Sequence, residues 1–277
     1  MKIKYLGTAA AEGWPGLFCT CDTCRKARLL KGKNLRSRSQ VLLNDNLLVD
    51  FGPDTYYHAI TQNLNLSQVE TVLLTHSHMD HFYPTDLILR GVPYAYGREA
   101  NKMTLYGNEA CEHKYTAMLK EEDDTANLPQ CIDFRTIQAQ RTFNASGYRI
   151  LPLQASHDPR ENCLLFGLTD EHNKSLFYGN DTGYMTEETW EQMKSFRFDL
   201  VSLDCTMGGT PGCASHMGMG ENTKVRERML TLGCADESTL FVMTHFSHNG
   251  GLMHEELVSK GKDLGFLIAY DGMELEI

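Results

Sequence analysis

Short apolar runs closed by turn residues recur along the chain, at 3–6, 41–43, 47–50, 71–75, 148–153, 176–178, 200–203 and 240–244. Their length, their Val, Ile and Leu content and their flanks predict buried strands. Between them, apolar positions fall at helical spacing over 54–62, 109–120, 187–195, 223–232 and 255–262. Strands and helices mixed in this way predict a layered α/β architecture. No linker rich in Pro, Gly or Ser, no low-complexity tract and no internal repeat divides the chain, so one domain over 1–277 is expected. The acidic run 121–124 predicts a solvated loop.

The polar residues that stop the strands carry the next step. Asp50 follows Leu-Leu-Val, His76 follows Val-Leu-Leu-Thr, Asp204 follows Val-Ser-Leu, and His245 follows Phe-Val-Met-Thr. Polar groups at successive strand ends converge on one edge of a sheet, where α/β folds place ligand sites.

Composition narrows the partners. With 26 Lys plus Arg against 36 Asp plus Glu, the formal net charge is −10, which argues against a generic nucleic-acid or anionic-membrane binder. No apolar run reaches the roughly 18–20 residues of a membrane span, and the N-terminus lacks a signal-peptide core. A soluble, cytoplasmic protein is expected. Nine cysteines, three of them crowded at Cys19, Cys21 and Cys24, point in a reducing compartment to metal rather than to disulfides.

The segment Thr75-His76-Ser77-His78-Met79-Asp80-His81 sets four potential ligands directly after a strand. His76 and His78 can reach one ion, and Asp80 and His81 a second; imidazole and carboxylate together suit Zn or Mn. Two ions about 3.5–4 Å apart share a water, lower its pKa and neutralise charge on a phosphoryl or carbonyl oxygen, so hydrolysis is the expected reaction class.

This H-x-H-x-D-H segment resembles the signature of the metallo-β-lactamase superfamily. The resemblance extends through His157 in Ala-Ser-His-Asp, Asp181 in Gly-Asn-Asp-Thr-Gly and His245 in Thr-His-Phe-Ser, in order along the chain. It implies a four-layer αββα sandwich in which His76, His78 and His157 hold one divalent ion, Asp80, His81 and His245 hold the other, and Asp181 bridges them. Asp50 matches the early family aspartate, which orients the histidine segment without binding metal.

Cys19-Thr20-Cys21-Asp22-Thr23-Cys24 supplies three thiolates before a basic helical stretch at 25–31, and a closed tetrahedral zinc site needs a fourth ligand. His248, three residues beyond His245, is the nominee; a structural zinc there would tie the N-terminal loop to the loop carrying His245. The opening Gly-Thr-Ala-Ala-Ala-Glu-Gly-Trp-Pro with Cys-x-Cys-x-x-Cys, and the late Thr-His-x-Ser-His, resemble the phosphoribosyl cyclic phosphodiesterase of carbon-phosphorus lyase phosphonate breakdown. That family carries a structural zinc on these cysteines and this histidine and usually manganese in its paired site. It also places a histidine where His216 stands, in Ser-His-Met-Gly.

The expectation is therefore a dinuclear metal-dependent phosphodiesterase with two Mn²⁺ or Zn²⁺ ions and one structural Zn²⁺. Its substrate is small and phosphorylated, most specifically phosphoribosyl 1,2-cyclic phosphate, attacked by a hydroxide bridging the ions. Asp80 and His216 are the catalytic candidates, His216 assisting the leaving oxygen. No membrane partner is expected, nucleic acid is disfavoured, and monomer and homodimer both stay open. Two rivals share the motifs. The tRNA 3′-processing endonuclease is similar in its metal ligands but grips a polyanion, and the pyrroloquinoline quinone biosynthesis protein B is similar at the N-terminus but generally lacks a complete paired site.

Overall fold

The computed structural model describes residues 1–98, 102–122 and 127–277. Strands β1 (Lys2–Gly7), β2 (Gln40–Leu43), β3 (Leu47–Val49), β4 (Thr71–Leu73), β5 (Met103–Gly107) and β6 (Ile132–Thr136) enter a first sheet. A second is built from β7 (Phe143–Ala145), β8 (Tyr148–Gln154), β9 (Leu164–Thr169), β10 (Ser175–Gly179), β11 (Leu200–Asp204), β12 (Leu240–Thr244) and β13 (Leu267–Ile268), after which β14 (Met273–Glu276) returns to the first. The orders are β14-β1-β2-β3-β4-β5-β6 and β13-β12-β11-β10-β9-β8-β7. Followed from β14 and from β7, each sheet runs through antiparallel pairings and then turns parallel, at β3–β4 and at β10–β11. The two halves thus repeat one topology although the sequence shows no repeat, because side-chain identity is free wherever burial alone is demanded.

Alternation along the strands sorts side chains into layers. Ile3, Tyr5, Val41, Val49 and Leu73 of the first sheet meet Ile150, Phe166, Leu176, Tyr178 and Val242 of the second in one core. Helices α1 (Asp22–Leu30) and α2 (Thr55–Thr61) precede α3 (Glu109–Glu121) and α4 (Leu128–Cys131), which cover the outer face of the first sheet through Cys111, Tyr115, Met118 and Leu128 against Leu48, Val72 and Leu105. On the other side, α5 (Glu187–Met193), α6 (Met219–Leu232) and α7 (His254–Asp263) lay Trp190, Val225, Met229 and Leu257 over Phe177, Val201 and Met243. This is the αββα sandwich expected from the sequence. Among the described residues, no helix is long and apolar enough to cross a membrane.

Three differences from the sequence reading have local causes. Strand β9 goes unseen in the pattern because Gly167 interrupts its apolar run; the glycine lies beside the Phe196 ring, which stacks on Phe198 at 5.1 Å between centroids. Helix α6 begins at Met219 rather than 223, where Glu221 accepts from the N–H groups of Gly212 (2.8 Å) and Gly218 (3.2 Å) and so anchors a turn that reads as loop. The acidic run at 121–124 opens as the last residue of α3 at Glu121, and its Asp123 and Asp124 lie outside the described residues.

Candidate metal centre

The predicted ligands come from segments that follow β4, β8, β10 and β12, and hydrogen bonds behind each imidazole decide which ring nitrogen is left for a ligand. Asp50, fully buried and held at φ 69° just past β3, accepts from Thr75 N (2.8 Å) and Thr75 Oγ1 (2.9 Å) on one oxygen and from His81 Nδ1 (2.6 Å) on the other. With its hydroxyl proton given to Asp50, Thr75 Oγ1 accepts from His76 Nδ1 at 2.9 Å. His76 Nε2 is then buried with no hydrogen-bond partner among the described residues.

The second sheet repeats the device. Fully buried Asp204 accepts from Thr206 Oγ1 and from Thr206 N, both at 3.0 Å, and Thr206 Oγ1 in turn accepts from His245 Nδ1 at 2.8 Å. His78 donates Nε2–H to Asp158 (2.9 Å), and His157 donates Nδ1–H to the Ser215 carbonyl (3.2 Å).

What remains is a set of lone pairs aimed at one another. His78 Nδ1 lies 3.2 Å from His157 Nε2, and His81 Nε2 lies 3.3 Å from His245 Nε2. The ligand atoms of His76, His78 and His157 all fall within 4.8 Å of one another, and so do those of Asp80, His81 and His245. Asp181 Oδ2 stands between the two groups, 3.5 Å from His157 Nε2, 3.6 Å from His245 Nε2 and 3.9 Å from His81 Nε2. Acceptors facing acceptors in a buried site call for cations between them.

The electrostatics agree. Burial pushes His157 down to about 4 and His245 down to about 3, and holds His76 well below the ordinary range, so these rings are neutral and ready to ligate. His81 is the exception: burial opposes its charge, but Asp80 and Asp50 outweigh it and hold His81 well above its usual value, so its Nε2 carries a proton toward Asp80 (3.2 Å) that an ion has to displace. Burial, reinforced by the nearby Asp204 carboxylate, drives Asp181 well above the carboxylate range. Such a carboxylate is stable as an anion only beside a compensating cation.

His216 sits at the edge of this set, a quarter exposed, with Nδ1 2.8 Å from Asp181 Oδ1 and 3.3 Å from Asp204 Oδ2. Burial works against its charged form, yet hydrogen bonds to the two aspartates raise it to about 11.

At the N-terminal excursion, Cys19, Cys21, Cys24 and His248 bring one ligand atom each within 4.8 Å of the others. His248 Nδ1 lies 3.5 Å from Cys21 Sγ and 3.9 Å from Cys19 Sγ. Backbone N–H groups point at all three sulfurs, from Gly16 to Cys24 (3.3 Å), from Cys24 to Cys21 and from Cys21 to Cys19 (both 3.5 Å). They draw Cys21 down to about 6, whereas burial pushes Cys24 up to about 12, so three thiolates coexist here only around a cation. The knuckle lies beside a backbone seam between the two loops, in which Phe246 N donates to Thr8 O (2.8 Å) and Ala10 N to Phe246 O (3.0 Å).

Every predicted site residue therefore falls in one of two clusters or directly behind one. Sequence reasoning placed Asp204 at the convergent strand ends without giving it a role, and missed Asp158, Thr75 and Thr206. Asp204 had a signal, since it closes an apolar strand as Asp50 does; the others act through hydrogen bonds that leave no spacing in the sequence. Arg36 and Arg38 are structural: Arg36 is buried against Thr8 Oγ1 (2.8 Å), and Arg38 pairs with Asp54 at 2.8 Å. Replacing Asp50 with Asn removes the anion behind His81, and metal binding is expected to weaken about 10- to 100-fold in a manganese titration.

Fold and site together define a metallo-β-lactamase-fold protein whose candidate ligand set is complete in both halves. The chain belongs to the family described as anti-Pycsar protein Apyc1, whose family model matches residues 38–253. It is similar to the coenzyme PQQ synthesis protein B of Acinetobacter baylyi, 24% identical over 320 aligned positions covering 100% of each chain. Among solved structures it is similar to a diphosphatase from the PhnP family, with TM-score 0.75, 21% identity and coverage of 100% of this chain and 97% of that one. It is also similar to Zn²⁺-bound PqqB from Methylobacterium extorquens, with TM-score 0.73, 19% identity and 100% coverage of both chains.

Proposed function

We propose that the chain is a metal-dependent phosphodiesterase that hydrolyses a small cyclic phosphodiester, with phosphoribosyl 1,2-cyclic phosphate as the substrate favoured by the sequence resemblance. The observation that carries this reading is the pair of ligand clusters joined through Asp181 Oδ2, with the His216 imidazole beside them. His76, His78 and His157 would hold one Mn²⁺ or Zn²⁺, Asp80, His81 and His245 the other, and Asp181 would touch both. Ions bound there supply Lewis acidity toward phosphoryl oxygens and make water a nucleophile at neutral pH. Cys19, Cys21, Cys24 and His248 would hold a third, structural Zn²⁺.

The chain's own groups account for the remaining needs. Asp50 and Asp204, through Thr75 and Thr206, fix the ring orientations before substrate arrives, so little reorganisation accompanies reaction. With Nδ1 held by Asp181 and Asp204, His216 has Nε2–H left to meet a phosphate oxygen or to protonate the departing alkoxide. The negative sum charge disfavours a long polyanion such as tRNA, whereas a small phosphate needs only the local cations.

His216→Ala separates proton donation from simple phosphate contact. Turnover of diesters with an alkoxide leaving group is expected to fall about 10²- to 10⁴-fold. Loss on bis-p-nitrophenyl phosphate should be far smaller, because p-nitrophenolate leaves without a proton. Equal losses on both substrates would assign His216 to phosphate contact alone. A reading as a non-catalytic accessory protein, suggested by the PQQ synthesis protein B relatives, rests on an incomplete paired site; metal analysis giving about one ion per chain instead of about three would support it.

A further inference from the structure

The loop carrying His76 and His78 belongs to the first sheet, and the loop carrying His157 and Asp158 to the second. One carboxylate joins them. Ser77, lying between the two histidines, donates its N–H to Glu161 Oε2 (3.0 Å) and its hydroxyl to Glu161 Oε1 (2.7 Å). Buried Asn108, capping α3, donates to the same Oε2 (2.8 Å) and to the Asn162 carbonyl (2.9 Å). The remaining polar group of Ser77, its carbonyl, accepts from Lys114 Nζ of α3 at 2.7 Å, and the same ammonium also binds the Phe82 carbonyl at 2.7 Å.

Every polar atom of Ser77 is therefore committed, and no part of this clamp is itself a candidate ligand. Glu161 stands three residues beyond Asp158, whose carboxylate holds His78, so it braces that loop as well as gripping the other. The second ligand group is fastened elsewhere, His81 by Asp50 and His245 by Thr206.

We infer that Glu161 is a positioning residue that sets the His76–His78–His157 group selectively, by stapling the two loops that carry it. Without the staple the three lone pairs lose their common focus, while Asp80, His81 and His245 keep theirs. The ammonium of Lys114 spans both ends of the histidine loop, so its removal loosens both groups. This inference rests on the paired-ion reading above.

The test is manganese titration of the metal-free full chain by calorimetry, followed by ¹⁵N-imidazole NMR of the zinc-loaded chain. The variants are Glu161→Gln, which turns an acceptor facing Ser77 into a donor, and the milder Ser77→Ala. Wild type should bind two ions in the paired site. Glu161→Gln should weaken one of them at least about tenfold and leave the other within about twofold, with ring signals of His78 and His157 shifted and those of His81 and His245 unmoved. Ser77→Ala should weaken the same ion by less. Two ions bound with both affinities unchanged, or both weakened alike, would overturn the inference and leave the paired-ion reading standing. A wild-type chain that binds fewer than two ions there overturns both.

Discussion

Asp181→Ala is expected to lower hydrolysis of a small phosphodiester by about a thousandfold or more while leaving the fold intact. The carboxylate oxygen lies between the two ligand groups, within 3.9 Å of three ring nitrogens. Losing it costs an anchor shared by both ions, and with it charge stabilisation worth about 4 kcal/mol in the transition state, which is about three decades in rate. It also unpairs His216 from one of its two carboxylates. The stability of the metal-free chain should move the other way. Burial drives Asp181 well above the carboxylate range with Asp204 close by, so removing it relieves the cost of burying a second acid beside Asp204. Kinetics and thermal melting of metal-free and metal-loaded chains check both halves: lost activity with an unchanged or raised metal-free Tm supports the account, and retained turnover refutes it. Asp80→Ala should share the kinetic loss, since Asp80 stands 3.2 Å from His81 Nε2 in the second ligand group.

The second large effect lies at the knuckle. Cys24→Ala is expected to lower Tm by roughly 10 °C and to abolish one tightly held zinc, because metal binding at a closed site is folding free energy. Cys24 is the buried thiol of the group and the one reached by Gly16 N–H, so its loss leaves an open three-ligand site. The N-terminal excursion then loses one of its ties to the segment of Ser247 and His248, keeping the backbone seam at Phe246, and His245, at φ 61° two residues before Ser247, loses part of its support. A chelator strong enough to strip zinc should reproduce the drop in wild type and add little to the variant. An unchanged melting curve together with an unchanged zinc content would rule out a structural metal here.

Much of this was legible before the fold. The ligand motifs could be found because metal chemistry restricts residue type and demands close spacing, as in His76 to His81 and Cys19 to Cys24. The nomination of His248 needed only the count of thiolates and a nearby imidazole. The roles of Asp158 and Thr206 were not legible, because they reach the ligands by hydrogen bonds across distant segments, to His78 at 2.9 Å and to His245 at 2.8 Å. Glu161, a commonplace residue in a loop, gains its role only from the meeting of two sheets at Ser77. Strand β9 was hidden by Gly167, which breaks its apolar run beside Phe196.

The central claim is that the paired site hydrolyses a small cyclic phosphodiester. The most direct measurement is ³¹P NMR of the manganese-loaded chain in ¹⁸O-water, with phosphoribosyl 1,2-cyclic phosphate, a nucleoside 3′,5′-cyclic phosphate and a linear diester in parallel. A cyclic substrate is expected to open to a single monoester carrying one ¹⁸O on phosphorus, faster than the linear diester turns over, and Asp181→Ala to abolish the signal. A fully metal-loaded chain that opens no phosphodiester ring would contradict the claim.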